Sequence, residues 1–176
     1  SKYLYLEGYL WDGDLAKNAF LEAAKIAKES DTKIILTLSD SFCVDRHRES
    51  FLDLIDNYID LVFCNESEII SLCKKNELSS CIEYISSLCN LVIITLGSNG
   101  SLVINKGESE EIKPIPLGKI IDTTGAGDLY AGGFIHGLIN NCSLKKCGEI
   151  GSLFAGHIIT QLGSRSNTDL QNLLQE

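Results

Sequence analysis

Residues 119–133 of this chain have the sequence Lys-Ile-Ile-Asp-Thr-Thr-Gly-Ala-Gly-Asp-Leu-Tyr-Ala-Gly-Gly. Ile120 and Ile121 predict the end of a short buried strand, and apolar residues recur at helical spacing from Ala126 onward. Residues 123–127 are therefore predicted to form the turn between a strand and a helix. The first N–H groups of a helix have no partner within it and lie at the positive end of its dipole. This turn is therefore predicted to bind an anion such as a phosphate.

The predicted turn combines glycines with an acid. Gly125 and Gly127 lack a Cβ, so the backbone can approach an anion closely and adopt positive φ. Asp128 falls in the first helical turn, where its carboxylate points toward whatever lies in front of the turn. A phosphate repels a carboxylate, so an acid is expected here only if it receives a proton from an attacking hydroxyl group. The pattern therefore predicts Asp128 as a base in phosphoryl transfer.

Two familiar glycine motifs do not fit this turn. The dinucleotide fingerprint requires a third glycine at the position of Tyr130, and the Walker A motif requires Gly-Lys-Ser/Thr where residues 127–129 read Gly-Asp-Leu. A dinucleotide-dependent oxidoreductase is disfavoured further, because no acidic residue ends a following strand at the usual distance.

Residues 122–128, Asp-Thr-Thr-Gly-Ala-Gly-Asp, closely resemble the signature of the ribokinase-like (PfkB) carbohydrate and nucleoside kinases. The small-residue helix that follows is also found in that family. The resemblance implies an enzyme that transfers a phosphoryl group from ATP to a hydroxymethyl group of a sugar or nucleoside. It implies that Asp128 is the catalytic base and that the N–H groups of Gly125, Ala126 and Gly127 form an anion hole.

Two oxygen-bearing side chains precede the glycines. By resemblance to the family, Asp122 and Thr124 supply oxygens to a monovalent cation such as K⁺ beside the anion hole, and Gly163 and Ser164 form a companion loop. The alternative reading is that Asp122 or Thr124 caps the following helix and that the glycines serve packing. The sequence leaves both readings open.

Residues 65–68, Asn-Glu-Ser-Glu, resemble the family's Asn-x-x-Glu motif. The resemblance implies that Asn65 and Glu68 organise Mg²⁺ around the ATP phosphates, largely through water. Oxygen ligands and retained waters are what Mg²⁺ prefers. The alternative is that Asn65 is a helix N-cap and Glu68 the acid of a capping box.

Two further segments resemble parts of the family that contact the nucleotide. Residues 95–100, Thr-Leu-Gly-Ser-Asn-Gly, match the family's Thr-Leu-Gly-x-x-Gly, although a hairpin turn also needs glycines. Residues 155–157, Ala-Gly-His, resemble the segment that flanks the adenine, although a lone histidine is more often packed or exposed. The implied nucleotide-binding residues are Thr95, Gly97, Gly100, Gly156 and His157.

Apolar runs alternate with amphipathic patterns along residues 3–96. Strands are predicted at residues 3–8, 33–38, 60–64 and 91–96. One helix is predicted to be capped by Asp14, with Leu15 on its buried face, and another to cover residues 44–58. The alternation predicts βαβ units, and with the resemblance it implies a three-layer α/β/α ribokinase-like fold with a mainly parallel central sheet. Polar segments follow the predicted strands, at the edge where such sheets bind ligands.

The pattern changes after Gly97. Short strands are predicted at residues 101–104, 111–116 and 119–121, forming an antiparallel edge of the sheet. Two helices are then predicted at about residues 127–139 and 144–161, the second ending near Gly163.

Composition restricts the class of protein. The 176 residues fit one domain, so residues 1–176 are expected to form a single kinase domain. The net charge of −9 argues against a nucleic-acid or anionic-membrane partner, and no apolar run is long enough to span a bilayer. The seven cysteines contain no Cys-x-x-Cys pair and predict reduced, buried residues of a cytoplasmic protein rather than a metal site or disulfide framework.

The resemblance covers only the C-terminal part of the family pattern. Family members carry an N-terminal portion with the first strands, a glycine pair that contacts the acceptor and a small β lid, and we expect this chain to lack them. Sugar therefore cannot be told from nucleoside, although residues 7–12 and 38–43 look closest to the adenosine-kinase-like branch. One alternative is a truncated, non-catalytic nucleotide-binding module. An exposed sheet edge also predicts either a homodimer or reliance on the absent segment.

Overall fold

The structure is a computed structural model that describes residues 1–174. Its strands are β1 (Tyr3–Glu7), β2 (Lys33–Thr37), β3 (Leu61–Asn65), β4 (Leu91–Thr95), β5 (Ser101–Asn105) and β6 (Glu108–Ile112). Its α-helices are α1 (Asp14–Glu29), α2 (Ser41–Asn57), α3 (Glu66–Cys73), α4 (Leu78–Ser86), α5 (Ala126–Ile139) and α6 (Leu144–Ile158). Short 3₁₀ helices cover Gly8–Asp12, Gly97–Asn99 and Leu170–Leu174. The alternation of strand and helix from β1 to β4 confirms the predicted α/β pattern.

The described chain divides into two compact units. The first unit comprises Ser1–Thr95 and Ile104–Ser109, and the second comprises Leu96–Val103 and the chain from Glu110 onward. All six strands contribute residues to the first unit, and they are hydrogen-bonded in the order β1-β2-β3-β4-β5-β6. No helix within residues 1–174 has the length and apolar character needed to cross a membrane.

The first four strands are parallel, as predicted. Glu7 pairs with Thr37 at the ends of β1 and β2, and Asn65 pairs with Thr95 at the ends of β3 and β4. The carboxyl ends of these strands therefore lie along one edge of the sheet, which we call the carboxyl edge.

The last two strands run in alternating directions. The Leu96 N–H donates to the Gly100 carbonyl at 2.8 Å and the Lys106 N–H to the Asn90 carbonyl at 2.7 Å, so the chain after the turn retraces its path and β5 is antiparallel to β4. Lys106 and Gly107, both at positive φ, form the two-residue turn from β5 to β6.

Apolar side chains of the inner strands form the core of the first unit. Ile34, Ile35 and Leu36 of β2 are fully buried, as are Ile93 and Ile94 of β4. Helix α1 packs against β1 and β2, and α3 and α4 pack against β4. The sheet is therefore flanked by helices, as an α/β fold requires.

The start of α1 differs from the prediction. Gly13 is the N-cap residue and Asp14 is the first helical residue, so Asp14 does not cap the helix. Leu15 is 87% exposed, and only Phe20, Ala24 and Ala27 of this helix are buried.

In the second unit, α5 and α6 pack against each other, but the segment before α5 differs from the prediction. Residues 113–125 contain no strand, and Ile120 and Ile121 are 58% and 61% exposed. Pro114 and Pro116 lack N–H groups and interrupt any strand pairing, so the predicted strand at 111–116 is replaced by β6 at Glu108–Ile112. The Ile121 N–H donates to the Ile159 carbonyl at 2.8 Å, outside any sheet.

Helix α6 is shorter than predicted. It ends at Ile158, with Ile159 as its C-cap, instead of near Gln161. The Thr160 hydroxyl donates to the His157 carbonyl at 2.7 Å, so this carbonyl at the end of the helix has a hydrogen-bond partner.

Candidate active site

The N-terminus of α5 begins at a residue that must be glycine. Gly125 is the N-cap residue and has the left-handed conformation, with φ of 79°. A Cβ added at Gly125 would lie 2.7 Å from the Cβ of Ser164. The conformation and the close approach both exclude a side chain. The companion loop expected at Gly163 and Ser164 therefore does contact the start of α5.

Three N–H groups at this helix start are available to a ligand. The Ala126 N–H donates to the Thr123 carbonyl at 3.1 Å, and the Leu129 N–H donates to the Gly125 carbonyl at 2.9 Å. Within residues 1–174 no acceptor is found for the N–H groups of Gly125, Gly127 or Asp128. Of the predicted set, Gly125 and Gly127 therefore have unpaired N–H groups and Ala126 does not. The N–H of Asp128 is unpaired as well, as expected among the first four N–H groups of a helix.

The space in front of this helix turn is open. A Cβ added at Gly127 would meet no atom within 4 Å. Asp128 is exposed, and among the described residues no salt bridge engages its carboxylate. An anion at the free N–H groups and a hydroxyl group at Asp128 can therefore approach the same turn.

Asp122 is held by three hydrogen bonds. One carboxylate oxygen accepts from the N–H and the hydroxyl of Thr124, at 2.9 and 2.7 Å. The other accepts from the Gly163 N–H at 2.9 Å. The Thr124 hydroxyl, and then the Thr124 and Gly163 N–H groups, lower the pKa of Asp122. Asp122 is therefore ionised at neutral pH, and both of its carboxylate oxygens already accept hydrogen bonds.

Neither of these residues caps α5. The N-cap is Gly125, and no side chain accepts a hydrogen bond there. The reading in which Asp122 or Thr124 caps the helix is therefore wrong, because their hydrogen bonds join the turn to the loop at Gly163 instead.

Asn65 and Glu68 form a complete capping box at the start of α3. The Asn65 side-chain oxygen accepts from the Glu68 N–H at 2.9 Å. The Asn65 N–H donates to one Glu68 carboxylate oxygen at 2.9 Å, and the Asn65 side-chain amide donates to the other at 2.6 Å. The capping-box reading of residues 65–68 is therefore confirmed, without excluding a second role toward a metal.

The environment of Glu68 limits how it could serve Mg²⁺. Glu68 is only 5% exposed, and burial raises its pKa, opposed by the Asn65 N–H and assisted by the charge of Asp40. Both Glu68 oxygens already accept hydrogen bonds, and no group of three His, Cys, Asp or Glu side chains in residues 1–174 is placed to hold a metal ion. These residues fit Mg²⁺ bound through water rather than directly.

The predicted nucleotide-binding residues near β4 lie at a strand end and a turn. Thr95 ends β4 beside Asn65, and its hydroxyl donates to the Cys64 carbonyl at 3.4 Å. Gly97 and Gly100 both have positive φ in the turn before β5. Thr95 therefore lies with Asn65 and Glu68 on the carboxyl edge of the first unit, whereas Gly97 and Gly100 belong to the second unit.

Gly156 and His157 make structural contacts within the second unit. A Cβ added at Gly156 would lie 2.0 Å from the Ile115 carbonyl oxygen, so the segment before α5 passes directly over α6. The His157 Nε2 lies 2.9 Å from the Ser166 hydroxyl and 3.1 Å from the Thr168 hydroxyl. The backbone at Gly156 and the side chain of His157 therefore contact neighbouring segments of the second unit.

Comparison with known proteins identifies the family. The pfkB family carbohydrate kinase profile matches residues 1–171. The chain belongs to this family. The predicted ribokinase-like α/β fold is likewise confirmed by solved structures. An adenosine kinase from Sinorhizobium meliloti has 40% sequence identity and a TM-score of 0.97, and the match covers 99% of this chain and 54% of that one.

Other relatives of this pfkB-family chain have different names. A probable sugar kinase from Rhizobium etli has 40% identity and a TM-score of 0.96, covering 99% of this chain and 53% of that one. A nucleoside kinase from Methanocaldococcus jannaschii is 34% identical over 122 residues, which cover 68% of this chain and 39% of that protein. The chain spans between 39% and 55% of the length of such curated relatives.

Proposed function

We propose that this pfkB-family chain carries the nucleotide-binding and phosphoryl-transfer part of an ATP-dependent kinase that acts on a hydroxymethyl group of a sugar or nucleoside. The observation that carries the proposal is the start of α5, where unpaired N–H groups and the exposed carboxylate of Asp128 belong to the same helical turn. We further propose that residues 1–176 form one kinase domain.

In this proposal Asp128 orients the attacking hydroxyl group and accepts its proton late in the reaction. Phosphoryl-transfer transition states are loose, so a carboxylate of ordinary basicity is sufficient. The N–H groups of Gly125, Gly127 and Asp128 stabilise the charge that develops on the transferred group, and Ala126 joins them if its hydrogen bond to Thr123 opens. The chain thus supplies orientation and fixed dipoles rather than covalent chemistry.

Two cation sites and a nucleotide site complete the proposal. Mg²⁺, when bound, neutralises the triphosphate, and Asn65 and Glu68 would hold it through water. Asp122 and Thr124 would offer oxygens to K⁺, and would keep the start of α5 in place. The residues proposed to contact or shape the nucleotide site are Thr95, Gly97, Gly100, Gly156 and His157.

The acceptor is proposed only as a class. Two solved relatives with the same 40% identity are named an adenosine kinase and a probable sugar kinase. Adenosine is therefore one specific candidate acceptor, and fructose and ribose are others. A non-catalytic nucleotide-binding module is the alternative.

The state of the cysteines supports a proposal about the cellular compartment. All seven cysteines are free, and burial raises the pKa of most of them, including Cys73 to about 12. Free buried thiols are typical of a reducing compartment, so we propose a cytoplasmic protein.

Strand β1 is an edge strand of the sheet, and we propose that it pairs with a second copy in a homodimer.

The test is ADP production with Mg²⁺ and K⁺ in the presence of adenosine, ribose or fructose. Asp128→Asn is expected to lower turnover by at least about a hundredfold while ATP binding, measured by calorimetry, is nearly unchanged. Asp14→Asn is the matched control, because Asp14 is also an exposed acid in the first turn of a helix. ATP binding without turnover on any acceptor would support the non-catalytic module, and full activity of Asp128→Asn would refute the base assignment.

A further inference from the structure

Two buried hydroxyl groups of the second unit form a pair that the sequence did not predict. The Oη of Tyr130 and the Oγ of Ser101 lie 2.6 Å apart, and either can donate the hydrogen bond. Tyr130 is 4% exposed and Ser101 is 1% exposed. We call Tyr130 and Ser101 the hydroxyl pair. The sequence gives no signal for it, because the two residues are 29 positions apart.

The ring of Tyr130 packs against both α5 and α6. A Cβ added at Gly151 of α6 would lie 3.1 Å from two carbon atoms of the ring, and one added at Gly148 would lie 3.3 Å from the Tyr130 hydroxyl oxygen. Phe134, one helical turn after Tyr130, stacks on the ring at a centroid distance of 6.4 Å. The glycines of α6 therefore leave the space that the ring occupies, and the hydroxyl group at its end reaches β5.

The phenol of Tyr130 keeps its proton at neutral pH. Burial raises the pKa of Tyr130 to about 12, and the hydrogen bond with Ser101 opposes this shift. A buried hydroxyl group that loses its hydrogen-bond partner destabilises the arrangement that buries it. Any movement of α5 that separates Tyr130 from Ser101 is therefore unfavourable.

The hydroxyl pair joins two segments that the proposed function uses. Ser101 begins β5 and directly follows Gly100, which with Gly97 belongs to the turn proposed to contact the nucleotide. Tyr130 lies two positions after Asp128 in α5. Residues two positions apart project from a helix about 200° apart, which agrees with an exposed Asp128 and a buried Tyr130. The pair therefore attaches the side of α5 that faces away from Asp128 to the strand that follows the turn.

We propose that Tyr130 is a positioning residue, whose hydrogen bond with Ser101 fixes the first turn of α5 relative to the turn at residues 97–100. The inference rests on the proposed kinase function, in which Asp128 and the unpaired N–H groups act on a phosphoryl group carried by the nucleotide. Small displacements of reacting groups cost large factors in rate. Tyr130 is buried, so it acts through the position of Asp128 and not by contact with a substrate.

The test is the substitution Tyr130→Phe, which removes the hydroxyl group and keeps the ring. In the kinase assay, kcat is expected to fall about tenfold, because Asp128 is held less closely in its position. The KM for ATP is expected to stay within about twofold of wild type, since the turn at residues 97–100 keeps the hydrogen bond from the Leu96 N–H to the Gly100 carbonyl. A merely structural role would lower the amount of folded protein, measured by circular dichroism, without changing kcat per folded molecule.

A second readout does not require turnover. The Leu129 N–H donates to the Gly125 carbonyl at 2.9 Å, so hydrogen exchange of this amide, followed by NMR, reports opening of the first turn of α5. Exchange is expected to be about tenfold faster in Tyr130→Phe than in wild type. Ser101→Ala removes the other partner and is expected to give the same changes. The double variant is expected to change no further, because both substitutions remove one interaction.

Thr32→Val is the matched control. The Thr32 hydroxyl donates to the Ser1 carbonyl at 2.8 Å in the first unit, so this variant also removes the hydrogen bond of a buried hydroxyl group. It is expected to leave kcat and the exchange of the Leu129 amide unchanged. Wild-type exchange in Tyr130→Phe, or an equal increase in exchange in Thr32→Val, would overturn the inference.

The two readouts separate the inference from the proposed function. Faster exchange in Tyr130→Phe and Ser101→Ala, without turnover by the wild-type chain on any acceptor, would support the positioning role and contradict an active kinase. Turnover by the wild-type chain with an unchanged kcat in Tyr130→Phe would support the kinase and refute the inference. Circular dichroism checks that Tyr130→Phe folds, and Ser101→Ala is measured in its place if it does not.

Discussion

The carboxylate of Asp122 accepts a hydrogen bond from the Gly163 N–H at 2.9 Å, although the two residues are 41 positions apart. The other oxygen of the same carboxylate accepts from Thr124, on the turn that leads into α5. Ser164, next to Gly163, lies against Gly125. The Asp122 carboxylate therefore joins the turn that leads into α5 to the loop at Gly163 and Ser164.

We predict that Asp122→Asn lowers turnover in the kinase assay by about tenfold to a hundredfold. An amide has one acceptor oxygen where the carboxylate has two, so either Thr124 or Gly163 loses its partner and the α5 N–H groups move. Asp169→Asn is the control, because Asp169 accepts a single N–H, from Gln171, in the nearby exposed segment. Turnover equal to wild type in Asp122→Asn would contradict the proposed role.

Gly125→Ala is predicted to destabilise the protein by about 2 kcal/mol. The added Cβ requires the left-handed conformation at φ of 79° and meets Ser164. Gly132→Ala is the contrasting variant on the same helix, because its Cβ would meet no atom within 4 Å. It is predicted to stabilise by up to about 1 kcal/mol through helix propensity. Urea unfolding measures both, and equal effects of the two substitutions would refute the close approach at Gly125.

Gly156→Ala separates a packing role from direct nucleotide contact. A Cβ 2.0 Å from the Ile115 carbonyl oxygen forces the segment over α6 to move, so we predict a loss of about 3 kcal/mol in the free energy of unfolding. ATP affinity of the folded fraction, measured by calorimetry, is predicted to fall as well. Unchanged stability with weakened ATP binding would show that Gly156 acts on the nucleotide alone.

Hydrophobic periodicity was sufficient to predict the α/β pattern and the helix that begins at Ala126. It failed at Ile120 and Ile121, because an apolar pair predicts burial without stating what covers it. The prolines at 114 and 116 were the available signal that no strand continues there. Helix α2 begins at Ser41 rather than at residue 44, since Asp40 accepts from the Cys43 N–H and caps the helix earlier.

Tertiary contacts were beyond the reach of the sequence. The capping box at residues 65–68 was within reach, because its hydrogen bonds join Asn65 to Glu68 only three residues away. The pairing of Asp122 with Gly163 depends on how α6 returns toward α5. Such contacts depend on how distant segments of the chain fold back on each other, which the spacing of residues in the sequence does not show.

The buried carboxyl of Glu68 predicts a specific dependence of stability on pH. Burial raises its pKa in the folded state, so the folded state holds a proton over a pH range in which the unfolded state has lost it. Glu68 therefore contributes most favourably below its unfolded pKa, and the folded state loses stability as pH rises from the unfolded pKa through the folded one. Glutamine cannot titrate, so Glu68→Gln removes this dependence.

The variant also loses one acceptor for Asn65, which costs about 1 kcal/mol independently of pH. We therefore expect the free energy of unfolding of Glu68→Gln, relative to wild type, to become more favourable as pH rises from about 4 to 7, when both are measured by urea unfolding. Glu66→Gln is the matched control, because Glu66 is an exposed acid of the same helical turn, and its variant should retain the pH dependence that the buried Glu68 causes. A flat trend for Glu68→Gln would mean that the hydrogen bonds from Asn65 offset the effect of burial on the pKa of the carboxyl. An opposite trend would mean that these hydrogen bonds outweigh burial.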